Sequence, residues 1–190
     1  CLIGNPNLLN ARKEKYEVPL PTFRLDHINV HTHVQKGFEG GRLHGGWNGT
    51  AGLYRYDNGI MYNGLTTVSF ELFDTEPNKG GFACIPGSHK ANLQLPEKWR
   101  DLSTGVNECV ERVAAKPGDA IIFTEALTHG TLPWEVDEKR TTVFYKFSPH
   151  ALTWSADFFN PDDFVDYADM DRRKLALLEK PNARYPQRPR

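Results

Sequence analysis

The feature that most limits the fold of this chain is its rhythm of short extended segments punctuated by glycine, proline and aspartate. Residues 23–34, FRLDHINVHTHV, alternate with the period of two that a strand imposes. Ile28, Val30 and Val34 fall on one face, and His27, Asn29, His31 and His33 on the other. AGLYRY and IMYNGLTTVSFELF flank Asp57-Asn58-Gly59, residues that tolerate the positive φ of a tight turn, so a hairpin is expected there. Further strands are expected at GFACIP (81–86), CVERVAA (109–115), DAIIF (119–123), a short piece around LTHGT, and RTTVFYKFS (140–148). Between them LPEKWRDL reads as a short helix. So many short strands separated by turns imply an all-β barrel or sandwich rather than alternating β and α units.

After Pro149 the character changes to aromatic and acidic residues as far as Tyr167, then to MDRRKLALLEK, a helix stopped by Pro181, and a basic tail. A chain of 190 residues suits one domain. Residues 1–150 are expected to carry the β domain, beginning with an irregular stretch over 1–22, and residues 151–190 a helical extension and tail of the same domain. The chain opens on Cys1 without an initiator Met, and a fragment lacking upstream elements is the expectation.

Charge is balanced at 23 basic against 24 acidic residues, which gives no electrostatic footprint for nucleic acid or an anionic membrane. Cys1, Cys84 and Cys109 are too far apart for a CxxC knuckle and odd in number, so a reducing, cytoplasmic setting is expected. No apolar run approaches the ~20 residues of a membrane span. A soluble protein fits these bounds.

The stretch LTHGTLPWEVDEKRTTVFYKF holds the first chemistry. If residues around 134–137 turn a hairpin, His129 lies opposite Thr142 and Thr131 opposite Arg140, all on one face. An imidazole and a guanidinium so placed would grip two ends of a small dicarboxylate, one through a metal and the other by a bidentate fork. The plainer reading makes Arg140 a solvated strand charge and His129 a hydrogen-bonded barrel residue.

The segments LHGG (43–46), GGFACIPGSHK (80–90) and KPGDAIIFTEALTHGT (116–131), followed by Arg140 eleven residues after His129, settle which reading to prefer. In order and spacing they resemble the phytanoyl-CoA dioxygenase family of Fe(II)/2-oxoglutarate oxygenases. That resemblance implies a double-stranded β-helix, a jelly-roll of the cupin kind, with an HxD motif and a distal histidine forming a facial triad on iron. On it His44 matches the first ligand and His129 the distal one. Arg140 matches the arginine that holds 2-oxoglutarate, Thr131 the hydroxyl that assists it, and PGSHK a structural turn that leaves His89 without a catalytic role.

The departure is Gly46, which stands where the triad has its acid and offers no ligand atom. Three outcomes follow. The position is vacant and open to water or chloride, as the HxG or HxA halogenases of this class imply; or a carboxylate from elsewhere, Glu71 or Asp57, reaches the metal; or the fold persists as a non-catalytic binding module. The expected function is Fe(II)- and 2-oxoglutarate-dependent hydroxylation of a small molecule, with halogenation or binding alone as alternatives, and with a vacant position beside Gly46.

Other residues carry weaker expectations. His31 and His33 are expected beside the pocket, in contact with cosubstrate or substrate, and His27 on a solvated face. HTH followed by Glu39 is a poor match in spacing to a cupin metal site. Trp47, Tyr54, Tyr56, Tyr62 and Trp134 suit core or rim packing as well as substrate stacking. Glu125, four residues before His129, is expected in a supporting or loop role. Asp162, Asp163, Asp166, Asp169 and Asp171 read as the exposed face and first turn of the C-terminal helices.

Overall fold

The structure, a computed structural model, describes residues 20–37, 40, 42–45, 54–91, 95–102 and 105–184. Nine strands lie among the described residues: β1 (Phe23–His33), β2 (Tyr54–Asp57), β3 (Ile60–Asn63), β4 (Thr66–Glu71), β5 (Gly81–Cys84), β6 (Glu111–Arg112), β7 (Ala120–Thr124), β8 (His129–Leu132) and β9 (Arg140–Pro149). The expected strand at 109–115 contracts to the two residues of β6. Two short helices follow the expected places, α1 (Glu97–Arg100) and α2 (Arg172–Leu177), the latter capped by Asp171, whose side chain accepts from the Lys174 amide at 2.8 Å. No helix among the described residues is long and apolar enough to cross a membrane.

The larger sheet has the order β1-β9-β4-β7 and the smaller β6-β5-β8, all pairings antiparallel. β2 and β3 form the expected hairpin, separate from both sheets, with Asn58 at φ 49° and Gly59 at φ 80° closing its turn. The strands thus build a mainly β, cupin-like double-stranded β-helix.

The hairpin expected between β8 and β9 does not form. β8 pairs with β5 and β9 with β1 and β4, so His129 and Thr131 belong to one sheet and Arg140 and Thr142 to the other. The reason lies in the connection. Pro133 has no N–H to continue a ladder, and Trp134 is fully buried, its indole N–H donating to the Glu138 carbonyl at 2.7 Å. The Glu135 amide bonds to Lys79 O, and Trp134 O accepts from Gly37 N, so the segment is stitched to other loops as it crosses between sheets.

Alternation along β1 has an unusual sense. Ile28, Val30 and Val34 are exposed by 39%, 59% and 62%, while on the opposite, polar face His27 and Asn29 are half-buried, His31 is exposed and His33 is buried. Register carries that face across the larger sheet: His33 pairs with Arg140, His31 with Thr142, and Thr142 with Glu71. The apolar core sits elsewhere. Leu43, Ala83, Ile85, Val110 and Leu132 form a buried cluster against Leu95, Leu102, Val106 and Cys109. Leu43 and Leu132 alternate in sequence with His44 and Thr131, so packing one face of the smaller sheet into this core directs the other face toward the space between the sheets.

The C-terminal residues are fastened to β1 by a buried charge cluster. Asp26 accepts from Arg24 Nη1 at 2.8 Å and from the amides of Trp154 and Ser155 at 3.0 Å each, and Arg24 Nε donates to Glu179 O. Burial pushes the Asp26 carboxyl up, but the hydrogen bonds from His27, Trp154 and Ser155 and the charge of Arg24 outweigh it, and the net direction is down.

Candidate active site

His44 and His129 meet as a backbone pair. The His44 amide donates to His129 O at 2.8 Å and the His129 amide to His44 O at 2.9 Å, a single antiparallel bridge that sets both side chains on one face. Their ring centroids lie 4.3 Å apart. Glycine next to His44 makes the approach possible. Gly45 adopts φ +89°, and a Cβ there would stand 2.2 Å from Leu127 O and 2.8 Å from Glu125 O. On the other side of this turn the buried Ser88 hydroxyl accepts from the Thr128 amide at 2.7 Å, so PGSHK steadies the backbone just before His129.

His129 is fixed in plane and in tautomer. Its ring packs on Phe123, with centroids at 4.6 Å, and stacks with Phe82 at 6.0 Å. Nδ1 lies 2.7 Å from Leu127 O; a carbonyl only accepts, so Nδ1 carries the proton and Nε2 presents its lone pair. Burial holds this imidazole well below its ordinary pKa, against the opposing pull of Glu125, so it is neutral at pH 7.

Glu125 joins the pair. Its Oε2 is 3.8 Å from His129 Nε2, and one ligand atom from each of His44, Glu125 and His129 all lie within 4.8 Å of one another. The other oxygen, Oε1, accepts from Lys146 Nζ at 2.7 Å and from the Thr67 hydroxyl. Burial pushes the Glu125 carboxyl up, but the charges of His129 and Lys146 and these hydrogen bonds outweigh it, and the net direction is down.

The cavity beside the pair is lined by His31, His44, Phe82, His129, Thr131 and Lys146, among others. Arg140 is 1% exposed and donates from Nη2 to Glu71 Oε1 at 2.8 Å; Thr142 donates to Glu71 Oε2, also at 2.8 Å. Arg140 Nε and Nη1 are buried with no hydrogen-bond partner. Two unsatisfied N–H edges on a buried cation mark a place for an acceptor. Gly81 lies next to them, at φ +90°, where a Cβ would clash with Thr75 Cγ2 at 2.5 Å and make ordinary contact with Arg140 Nε at 3.4 Å. His31 feels the same charges: burial first, then Arg140, Lys146 and His44, push its pKa down. Burial, then Arg140 and His31, push His33 down to about 4.

Of the residues singled out from the sequence, the structure brings His44 and His129 together and sets Thr131 and His31 in the same cavity. His33 lies across the ladder from Arg140. Glu71 is not beside the histidine pair: both its oxygens are engaged by Arg140 and Thr142 on the larger sheet, which corrects its place as a candidate metal carboxylate. Asp57 sits on the exposed hairpin β2–β3. Gly46, Trp47 and Glu39 lie outside the described residues. His27 accepts or donates only at Asp26, 2.7 Å away, on the structural charge cluster. The residues that sequence reasoning undervalued are Glu125 and Lys146. The four-residue offset of Glu125 from His129 was a visible signal, but the break after β7 at Thr124 hid where its side chain goes.

Two antiparallel sheets facing each other around a histidine-lined cavity define the cupin-like class of double-stranded β-helix. Within it, this chain belongs to the phytanoyl-CoA dioxygenase (PhyH) family, whose model matches residues 27–141. No curated protein matches the chain. Among solved structures it is similar to HygX from Streptomyces hygroscopicus with nickel and 2-oxoglutarate bound, with TM-score 0.61 and 24% identity over 80% of this chain and 65% of that one. The apo form of HygX gives TM-score 0.59 and 25% identity over 72% and 62%. EvdMO1 gives TM-score 0.51 and 20% identity over 76% and 30%. The chain thus spans a little under two thirds of the HygX chain in its nickel form.

Proposed function

We propose that this chain is an Fe(II)- and 2-oxoglutarate-dependent oxygenase that hydroxylates a small molecule. The observation that carries the reading is the backbone-paired couple His44 and His129, whose rings converge on one cavity. Family membership supports it, as do the HygX structures with iron and with nickel and 2-oxoglutarate bound. HygX has also been seen with hygromycin B, and a small-molecule substrate is the corresponding reading here.

The donor set fits the cofactors. Neutral imidazoles suit Fe(II), and the unpartnered Nε and Nη1 of buried Arg140 suit a carboxylate of 2-oxoglutarate. Iron with this cosubstrate would supply the oxidation: one oxygen atom of O2 goes to 2-oxoglutarate, which leaves as succinate and CO2, and the other enters a substrate C–H bond as hydroxyl. The chain's own residues bind and orient. His44 and His129 hold the metal, Arg140 with Thr131 holds the cosubstrate, and Phe82 and Phe123 exclude water around His129.

The test is anaerobic addition of 2-oxoglutarate to the Fe(II)-loaded protein, followed by admission of O2. The expected result is a visible charge-transfer band on 2-oxoglutarate addition and slow O2-dependent release of succinate. A protein that binds Fe(II) but neither develops the band nor forms succinate would be a binding module instead.

A further inference from the structure

We infer that Glu125 supplies the carboxylate ligand of this metal centre, from the turn between β7 and β8, in place of the acid that the family's motif has where this sequence has Gly46. The inference rests on the metal-dependent reading above and adds to it a residue that the motif does not assign.

The argument starts from what faces what. His129 Nδ1 is committed to Leu127 O, which leaves Nε2 as the ligating atom, and Glu125 Oε2 lies 3.8 Å from it. An imidazole nitrogen and a carboxylate oxygen are both metal-ligating atoms, and a cation between them would satisfy both at once. His44 adds a third donor atom, the whole set lying within 4.8 Å. Ligands bound at roughly 2.0–2.2 Å from one ion stand about 3–4 Å from each other, so the observed spacing needs only a small closure.

The other half of the carboxylate is arranged as a ligand's would be. Lys146 and Thr67 both occupy Oε1, which leaves Oε2 as the oxygen turned toward the histidines. Hydrogen bonds of this kind orient metal-binding carboxylates, and here two donors share that task. Charge favours the same assignment. Two neutral imidazoles leave a divalent ion uncompensated, and Glu125 brings the negative charge that Gly46 does not. The alternative, that Glu125 exists only to neutralise Lys146, accounts for Oε1 but not for Oε2.

The same construction explains why glycine follows His44. The backbone of the 125–127 turn occupies the space where a Cβ of Gly45 would stand, so Gly45 lies directly against the segment that bears Glu125.

The experiment is titration of the full chain with Co(II), read by its visible d–d spectrum and by calorimetry. The proteins are wild type, H44A, H129A, Glu125→Gln, Lys146→Met, Glu125→Gln/Lys146→Met, and Glu125→Gln/Gly46→Asp. Glu125→Gln keeps size and an acceptor for Thr67; the double variant with Lys146→Met leaves no unpaired charge and replaces it if Glu125→Gln fails to fold. The expected result is at least about a tenfold loss of Co(II) affinity and an altered d–d spectrum in both Glu125→Gln proteins, a smaller loss with the wild-type d–d spectrum in Lys146→Met, where Thr67 still holds Oε1, and recovery in Glu125→Gln/Gly46→Asp. If H44A and H129A lose Co(II) while Glu125→Gln and its double variant keep wild-type affinity and spectrum, Glu125 is not a ligand and the inference falls alone. If Lys146→Met loses Co(II) as Glu125→Gln does, the ion pair and not ligation is what matters, and the inference falls as well. Wild-type-like binding in H44A and H129A would overturn the metal centre itself.

Discussion

His44 and His129 are held face to face by their own backbones, each amide donating to the other's carbonyl, with the two rings 4.3 Å apart. Because peptide groups fix the pair, either imidazole is removable without moving the other. The environments differ, however: His129 is packed between Phe82 and Phe123, whereas His44 is exposed. Both His→Ala changes are therefore expected to weaken metal binding by at least about tenfold. Only H129A should also lower folding stability, on the order of 1–3 kcal/mol. Urea unfolding of the metal-free proteins checks this, and equal destabilisation by the two changes would contradict it.

Arg140 has a double duty that its variants separate. Arg140→Ala strands Glu71 as a buried, unpaired carboxylate and is expected to destabilise the fold by about 3–5 kcal/mol, as breaking other buried ion pairs does. Arg140→Lys keeps the charge for Glu71 but has no planar fork to offer a second carboxylate. It should fold, bind Co(II) as wild type does, and bind 2-oxoglutarate more weakly. Calorimetric titration of the metal-loaded variant with 2-oxoglutarate is the measurement, and unchanged affinity would move the anchor elsewhere.

Gly45 tests its own close approach to the 125–127 turn. Alanine there meets Leu127 O at 2.2 Å and must adopt φ near +89°, so one side must shift. Gly45→Ala is expected to cost about 1–3 kcal/mol of stability and to weaken metal binding, since the strand and the turn carry His44 and Glu125. A variant as stable and as tight in Co(II) binding as wild type would show that the approach is not required.

His33 is expected to make the fold acid-sensitive. Its imidazole, at 4% exposure, is pushed down to about 4 in the folded state, against an ordinary value near 6.5. The unfolded chain therefore binds this proton between those values and the folded one does not. The stability contribution is complete above pH 6.5 and is lost as pH falls toward 4, with a limiting slope of about 1.4 kcal/mol per pH unit. His33→Phe should flatten the stability profile over that window relative to wild type. An unchanged profile would place the acid sensitivity in other groups.

Much of this protein is legible in its sequence because strand formation is local. Alternation over residues 23–34, the Asn58-Gly59 turn and the Gly- and Pro-bounded segments follow from backbone sterics within a few residues, and the strands stand close to where these signals put them. The order of LHGG and LTHGT also singled out His44 and His129, which the structure brings together as a backbone pair. Tertiary structure alone decided the rest. A period of two says which side chains share a face, but not which strand lies alongside, and β8 pairs with β5 because Pro133 and Trp134 turn the chain across to the other sheet. Glu71 and Glu125 are indistinguishable as buried acids in a β pattern. One meets Arg140 and Thr142 through the β4–β9 register, and the other meets His129 through a turn that Gly45 lets close against it. These outcomes depend on contacts between residues distant in the chain, where burial, register and the satisfaction of polar groups are settled together, and no local pattern encodes them.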